Sequence, residues 1–212
     1  MPDTGTNNPL IYLCDIGDVI FLPETIIPMS SKYKVGENAI PHFVTSSVVY
    51  WLDALTRPDY KDVIVNSLQY CQENKGLIIH AWVIMSNHVH FIISAKENTS
   101  IAANMRDFKK FTSRKLIEAI SQNKQESRKS WLLKMFAYAG KNNNSNNDYQ
   151  FWQQDYHPVE LNTIEKTQQR LNYLHKNPVK AGWVWEPQEY KYSSAVDYYT
   201  KSSGLIKIEP LI

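Results

Sequence analysis

Hydrophobic and polar positions follow two rhythms along this chain. Residues 42–51, His42-Phe43-Val44-Thr45-Ser46-Ser47-Val48-Val49-Tyr50-Trp51, are rich in β-branched and aromatic side chains and predict a first strand. Pro58-Asp59-Tyr60 then opens a helix to about Asn74, with Val63, Ile64, Leu68, Tyr70 and Cys71 at its apolar positions and Gly76 ending it. Two apolar runs follow, residues 77–85 and 88–93, separated only by Ser86-Asn87. Such a pattern reads as two strands joined by a tight turn.

Beyond residue 100 the helical period takes over. Ile101, Met105, Phe108, Leu116 and Ala119 recur at helical spacing and predict a helix over 101–121. Arg106, Lys110 and Arg114, at i, i+4 and i+8, line a different face, with Lys109 nearby. That face is either simply solvated or a stripe that contacts phosphates. Residues 126–139 predict another helix, containing Trp131, Leu132, Met135 and Phe136. Residues 140–148 form a polar, Asn-rich loop. Phe151-Trp152-Gln153-Gln154-Asp155 suggests a short strand. A last helix starts at Asn162 with Glu165 as a capping box, and Pro178 stops it at Asn177.

Composition narrows the class without naming it. A chain of 212 residues that is 43% hydrophobic can bury one substantial core. The net charge of +2 gives no global basic character, so nucleic-acid binding would have to come from local clusters. Cys14 and Cys71 are too far apart to suggest a disulfide framework or a metal ribbon, which points to a reducing, cytoplasmic setting. No apolar run reaches membrane-spanning length, so no membrane partner is expected. Residues 1–28 are rich in Pro and Asn and precede Met29-Ser30-Ser31, which reads like an ordinary protein start. The expected organisation is an N-terminal extension, 1–28, either disordered or outside the native start, and a single domain over 29–212. An extra strand or arm packed on that domain is the competing reading.

The strongest chemical signal is His88-Val89-His90. On a strand, residues i and i+2 point to one face. His88 and His90 therefore project together while Val89 turns into packing, and two imidazoles on a rigid strand can share one divalent metal. The last helix supplies a second signal. At about 100° per residue, Ile164, Leu171 and Leu174 cluster within roughly 80° as a buried stripe. Tyr173 lies nearly opposite, sharing its face with Asn177, Lys166, Gln169 and Arg170. His175 falls in the apolar stripe and reads as a packing residue. Taken alone, Tyr173 reads more readily as an ordinary surface or interface tyrosine than as a nucleophile, since the chain has 13 tyrosines.

Three separated motifs, in order, change the weight of these signals. Trp82-Val83-Ile84-Met85-Ser86-Asn87-His88-Val89-His90, then Tyr173-Leu174-His175-Lys176-Asn177-Pro178-Val179-Lys180-Ala181-Gly182-Trp183, then Pro187-Gln188-Glu189-Tyr190-Lys191-Tyr192-Ser193-Ser194-Ala195 together resemble the single-tyrosine HUH transposases. The resemblance is strongest to the REP-associated tyrosine transposases, and it covers about residues 32–199. Phe151-Trp152-Gln153 matches in kind. Ser86 stands where many relatives carry Pro, and the Asn-rich loop is longer than usual. The resemblance implies an α+β, ferredoxin-like (RRM-like) domain with a central antiparallel sheet and flanking helices. It implies His88 and His90 as metal ligands, Asn177 as a third, amide ligand and Tyr173 as the nucleophile. Mg²⁺ or Mn²⁺ suits so open and oxygen-rich a site. The implied reaction cleaves and rejoins single-stranded or hairpin DNA through a 5′-phosphotyrosine. Arg106, Lys109, Lys110 and Arg114 are then the candidate DNA-backbone contacts. Family members often act as dimers, so a homodimer is one expected assembly.

Other His-x-His enzymes fit less well. A histidine-triad hydrolase needs a third alternating histidine, where this chain has Ile92. A metal-dependent amidohydrolase needs more His and Asp ligands on a longer barrel. Replication initiators and relaxases share the chemistry in larger chains. The non-enzyme alternative is a domesticated relative that binds hairpin DNA without cutting it.

Overall fold

The computed structural model describes residues 40–143, 148–154 and 157–211. The N-terminal extension and the middle of the Asn-rich loop lie outside the described residues, as does Asp155. The elements run β1 (His42–Ser47), α1 (Pro58–Asn74), β2 (Leu77–Ile84), β3 (His88–Ala95), α2 (Ile101–Gln122), α3 (Lys129–Lys141), β4 (Val159–Glu160), α4 (Ile164–Lys180) and α5 (Ala195–Tyr199). The four strands form one antiparallel sheet in the order β2-β3-β1-β4. With helices after β1 and β3, this is the ferredoxin-like α+β arrangement expected from the sequence. β3 is central, paired with β2 on one side and β1 on the other.

The sheet divides the molecule. Val89, Phe91 and Ile93 point to the side covered by α1 and α2, where Phe91 meets Phe108 edge-on at 5.6 Å. That layer holds the largest buried rings, and Trp152 closes it with its indole N–H donating to Thr112 Oγ1 at 2.9 Å. His88 and His90 point to the other side, which α4 crosses. Beyond α4 the chain returns along β2: Ser194 N–H donates to the Trp82 carbonyl, Ile84 N–H to the Tyr192 carbonyl, and Glu209 N–H to the Ile79 carbonyl. These bonds cover an edge strand that would otherwise expose unpaired backbone groups. No helix among the described residues is long and apolar enough to cross a membrane.

Several boundaries differ from the sequence reading, each for a physical reason. β1 ends at Ser47 rather than Trp51, because Val48 and Val49 turn away to bond the carbonyls of Asn87 and Phe151. The predicted strand at Phe151 is a single bridge between Trp152 and Val48, and the true fourth strand is the brief Val159–Glu160. α3 begins at Lys129 instead of residue 126, since the Glu126 carboxylate is drawn into a buried cluster with Arg57 and Arg128. α4 is capped by Thr163, not Asn162, whose amide oxygen instead accepts from Lys166 Nζ. Ile164 is 72% exposed and leaves the buried stripe to Leu171, Leu174 and His175.

The most consequential difference is at Pro178. It does not stop α4; it sits buried inside the last turn, and the helix runs on to Lys180. A proline removes one backbone donor and crowds the preceding turn. Here the penalty falls on the final turn, and the Pro178 and Val179 carbonyls accept from the N–H groups of Trp183 and Gly182.

Candidate functional site

Four predicted residues converge on the α4 side of the sheet. His88 and His90 lie two apart on β3, with ring centroids 4.7 Å apart. Tyr173, from the second half of α4, meets His90 edge-on at 5.3 Å and Phe43 of β1 at 6.0 Å. Asn177 is one turn further along and within hydrogen-bonding reach of His88. Tyr173 thus leaves the Leu171–Leu174 stripe without facing open water: it is half-buried against the histidine strand.

Each imidazole is oriented by a neighbour that sequence reasoning did not single out. His88 Nδ1 lies 2.6 Å from Asn87 Oδ1. An amide oxygen can only accept, so Nδ1 carries the proton and Nε2 presents a lone pair. Asn87 is held in turn by its own Nδ2 donating to the Trp51 carbonyl. The β2–β3 turn is pinned further by Ser86 Oγ donating to Asp53 and by Leu55 N–H donating to the Ser86 carbonyl. His90 Nδ1 lies 2.8 Å from Thr45 Oγ1, its cross-strand neighbour on β1. Only the strand register reveals Thr45; no local motif could have.

The electrostatics keep both rings neutral. Burial holds the His88 pKa down to about 4. His90 is pushed well below the ordinary imidazole range by burial first, then by His88 and Arg170. Neutral imidazoles are the metal-binding form. His90 Nε2 is buried without a hydrogen-bond partner. Asn177 donates its amide N–H to the Tyr173 carbonyl at 2.7 Å, which leaves its oxygen for the cluster. Two imidazole lone pairs and an amide oxygen at one face fit a divalent cation with open positions. No group of three or more His, Cys, Asp or Glu among the described residues could hold a metal, so a closed structural site is not an alternative there. His175 also has an unpartnered ring nitrogen, but its Nε2 bonds Ser194 and it packs between Tyr198 and Tyr199, as a core residue should.

Two cations flank the cluster. Lys180 Nζ lies 5.7 Å from the Tyr173 ring, and the Arg170 guanidinium 5.2 Å from the Phe43 ring. Arg170 shares the Tyr173 face by periodicity. Lys180 was missed because Pro178 hid the last turn of the helix.

The basic stripe of α2 is not part of this cluster. Arg106, Lys110 and Arg114 are exposed on the helix that covers the opposite side of the sheet. Arg106 pairs with Asp107, and Lys109 turns inward to donate to the Gln153 carbonyl at 2.6 Å. Lys110 and Arg114 border a groove of about 840 Å³ between α1 and α2, whose walls include Tyr70, Cys71 and Phe111.

Residues 38–145 match the family model described as "Transposase IS200 like", just over half of the chain. The chain belongs to the IS200-like transposase family. The matched span includes His88 and His90 and stops before Tyr173 and Asn177. Among solved structures, this transposase is similar to a REP-associated tyrosine transposase bound to a REP hairpin: 16% identity, a TM-score of 0.59, and coverage of 87% of this chain and 94% of that one. At that identity the likeness speaks to fold alone. A crystal structure of a candidate transposase from Deinococcus radiodurans R1 is 14% identical over 70% of this chain and 96% of that one, with a TM-score of 0.41. No curated protein matches the chain.

Proposed function

We propose that this transposase is of the REP-associated tyrosine type and cleaves and rejoins single-stranded DNA through Tyr173. One observation carries the reading: the fold sets Tyr173 edge-on to His90 and brings Asn177 to His88, although 83 to 89 residues of chain separate these partners.

Tyr173 Oη attacks the phosphorus. The new bond joins tyrosine oxygen to the 5′-phosphate, the bond to the 3′ oxygen breaks, and that oxygen leaves as a 3′-hydroxyl after taking a proton. The phenolic proton passes to solvent as the attack proceeds, and solvent supplies the proton to the departing 3′ oxygen. Phosphodiester energy is kept in the tyrosyl link, so a 3′-hydroxyl can reverse the step and rejoin strands without a nucleotide cofactor. His88, His90 and Asn177 would hold a divalent cation, Mg²⁺ or Mn²⁺, which would supply charge neutralisation and orientation of the phosphate. Lys180, its Nζ 5.7 Å from the Tyr173 ring, adds positive charge beside the attacked phosphate, and Arg170 draws the anionic strand toward the cluster.

The DNA reaches beyond the cleavage point. Arg106, Lys110 and Arg114 contribute backbone contacts for the remainder of a hairpin substrate, consistent with the hairpin held by the REP-associated neighbour, while Lys109 is turned away to Gln153. The test is mass spectrometry of protein trapped on a nicked single-stranded oligonucleotide with Mn²⁺. An adduct on Tyr173 is the expected result. An adduct on another tyrosine, or hairpin binding with no cleavage, would overturn the reading; the latter would identify a non-cleaving DNA binder.

A further inference from the structure

We infer that the turn at Tyr50 and Trp51 is a stacking platform for unpaired bases of the DNA strand entering the His88/His90 site. The inference rests on the cleavage reading for its substrate class, but a separate set of observations carries it.

The first is the backbone. Tyr50 and Trp51 both adopt left-handed conformations, each with φ of 55°. Glycine and asparagine tolerate that region; bulky aromatic residues rarely enter it, and two in succession are a costly outlier. The turn is held open from both ends. Val49 N–H donates to the Phe151 carbonyl, Trp51 N–H to the Val48 carbonyl, and the Trp51 carbonyl accepts from Asn87. Val49 and Leu52 on either side are buried. The surrounding fold over-determines the turn, which is the circumstance in which strain persists at functional positions.

The second observation is what the turn presents. With the flanking aliphatic residues directed inward, Tyr50 is 47% and Trp51 57% exposed. Relaxing the backbone would carry these rings elsewhere, so the strained geometry keeps two large aromatic surfaces in solvent. Neither has a core role that would explain it.

The third is location. The Trp51 ring meets His88 edge-on, with centroids 5.9 Å apart. Tyr50 lies 6.3 Å from Tyr138 of α3, which is 60% exposed. An aromatic contact therefore leads outward from the His88 ring to Trp51, and Tyr50, the preceding residue, lies against Tyr138. A phosphate at the His88/His90 cluster would leave the adjoining nucleotide beside Trp51. Every base has a π-face, so such stacking is tolerant of sequence and selects unpaired over paired DNA.

The test compares dT12 with a 12-residue abasic strand of equal phosphate number, using fluorescence anisotropy and the full chain with Mn²⁺. Trp51→Ala should weaken dT12 binding about 10-fold or more and leave abasic-strand binding unchanged, with Trp51→Phe retaining most of the affinity. Trp51→Gly should weaken dT12 equally while holding or raising the melting temperature, because glycine suits the left-handed backbone. Affinity for dT12 within twofold of wild type in Trp51→Ala, or equal losses on dT12 and the abasic strand, would overturn the platform. So would a melting temperature that falls in Trp51→Gly as far as in a core truncation, which would make Trp51 a structural residue. Adduct formation at Tyr173 is measured separately, so failure of the platform and failure of the cleavage reading give different results.

Discussion

The two faces of β3 are built from alternate residues of one eight-residue strand, and they obey opposite rules. Val89, Phe91 and Ile93 are fully buried against the α1/α2 layer and have no polar atoms to satisfy. His88 and His90 face α4, and His90 carries a buried ring nitrogen with no partner. Burying an unsatisfied polar atom costs about 1–3 kcal/mol. The dry face supplies the stability against which the histidine face can hold two neutral imidazoles poised for a ligand. The comparison teaches that the histidines of the proposed site sit on a central strand paired on both sides, and not on a loop.

The sharpest way to separate the faces is Tyr173→Phe. It should abolish cleavage and adduct formation in a nicking assay, while stability stays within about 0.5 kcal/mol, because the change removes one oxygen and no packing. Phe91→Ala is the mirror case. It should destabilise the fold by about 3–5 kcal/mol in denaturant titration and reduce activity only in proportion to the protein left folded. If Phe91→Ala instead lost metal-dependent cleavage at unchanged stability, the division of labour between the faces would be wrong.

His88→Ala and His90→Ala should each raise the Mn²⁺ concentration needed for cleavage and lower the maximal rate together. Asn177→Ala should do so more mildly, because a neutral amide oxygen is the weakest of the three proposed ligands. Isothermal titration with Mn²⁺ checks this independently of DNA. Thr45→Val tests the orientation of His90 without touching a ligand; loss of such a supporting hydrogen bond should weaken metal affinity about 10- to 100-fold. The smallest effect belongs to the far side of the molecule. Arg106→Ala with Lys110→Ala should leave metal binding unchanged and flatten the salt dependence of hairpin affinity by about one unit of slope per lost phosphate contact. An unchanged slope would make that stripe of α2 an ordinary solvated surface.

Local pattern determined much of this. The period-2 alternation around His88-Val89-His90 was enough to place both imidazoles on one face of a strand, since strand geometry leaves no other arrangement. The hairpin at Ser86-Asn87 and the bounds of α1 follow from equally short-range rules, while the α+β class came from the resemblance of three separated motifs to a known family. Helical periodicity also put Tyr173 and Asn177 on a common face, and it kept His175 in the core.

What local pattern could not decide is which surfaces meet. That α4 crosses the histidine side of the sheet while α2 covers the other is set by the packing of the whole sheet, so the basic stripe of α2 and the His88/His90 cluster part company. Thr45 reaches His90 only through the register of β1 on β3. Lys180 reaches Tyr173 only because tertiary burial carries α4 through Pro178, against a proline's local preference. The left-handed turn at Tyr50 and Trp51 exists because hydrogen bonds from distant segments hold it there. Sequence determined the parts whose geometry is short-range; only the tertiary structure, where long-range contacts outweigh local propensity, decided how those parts face one another.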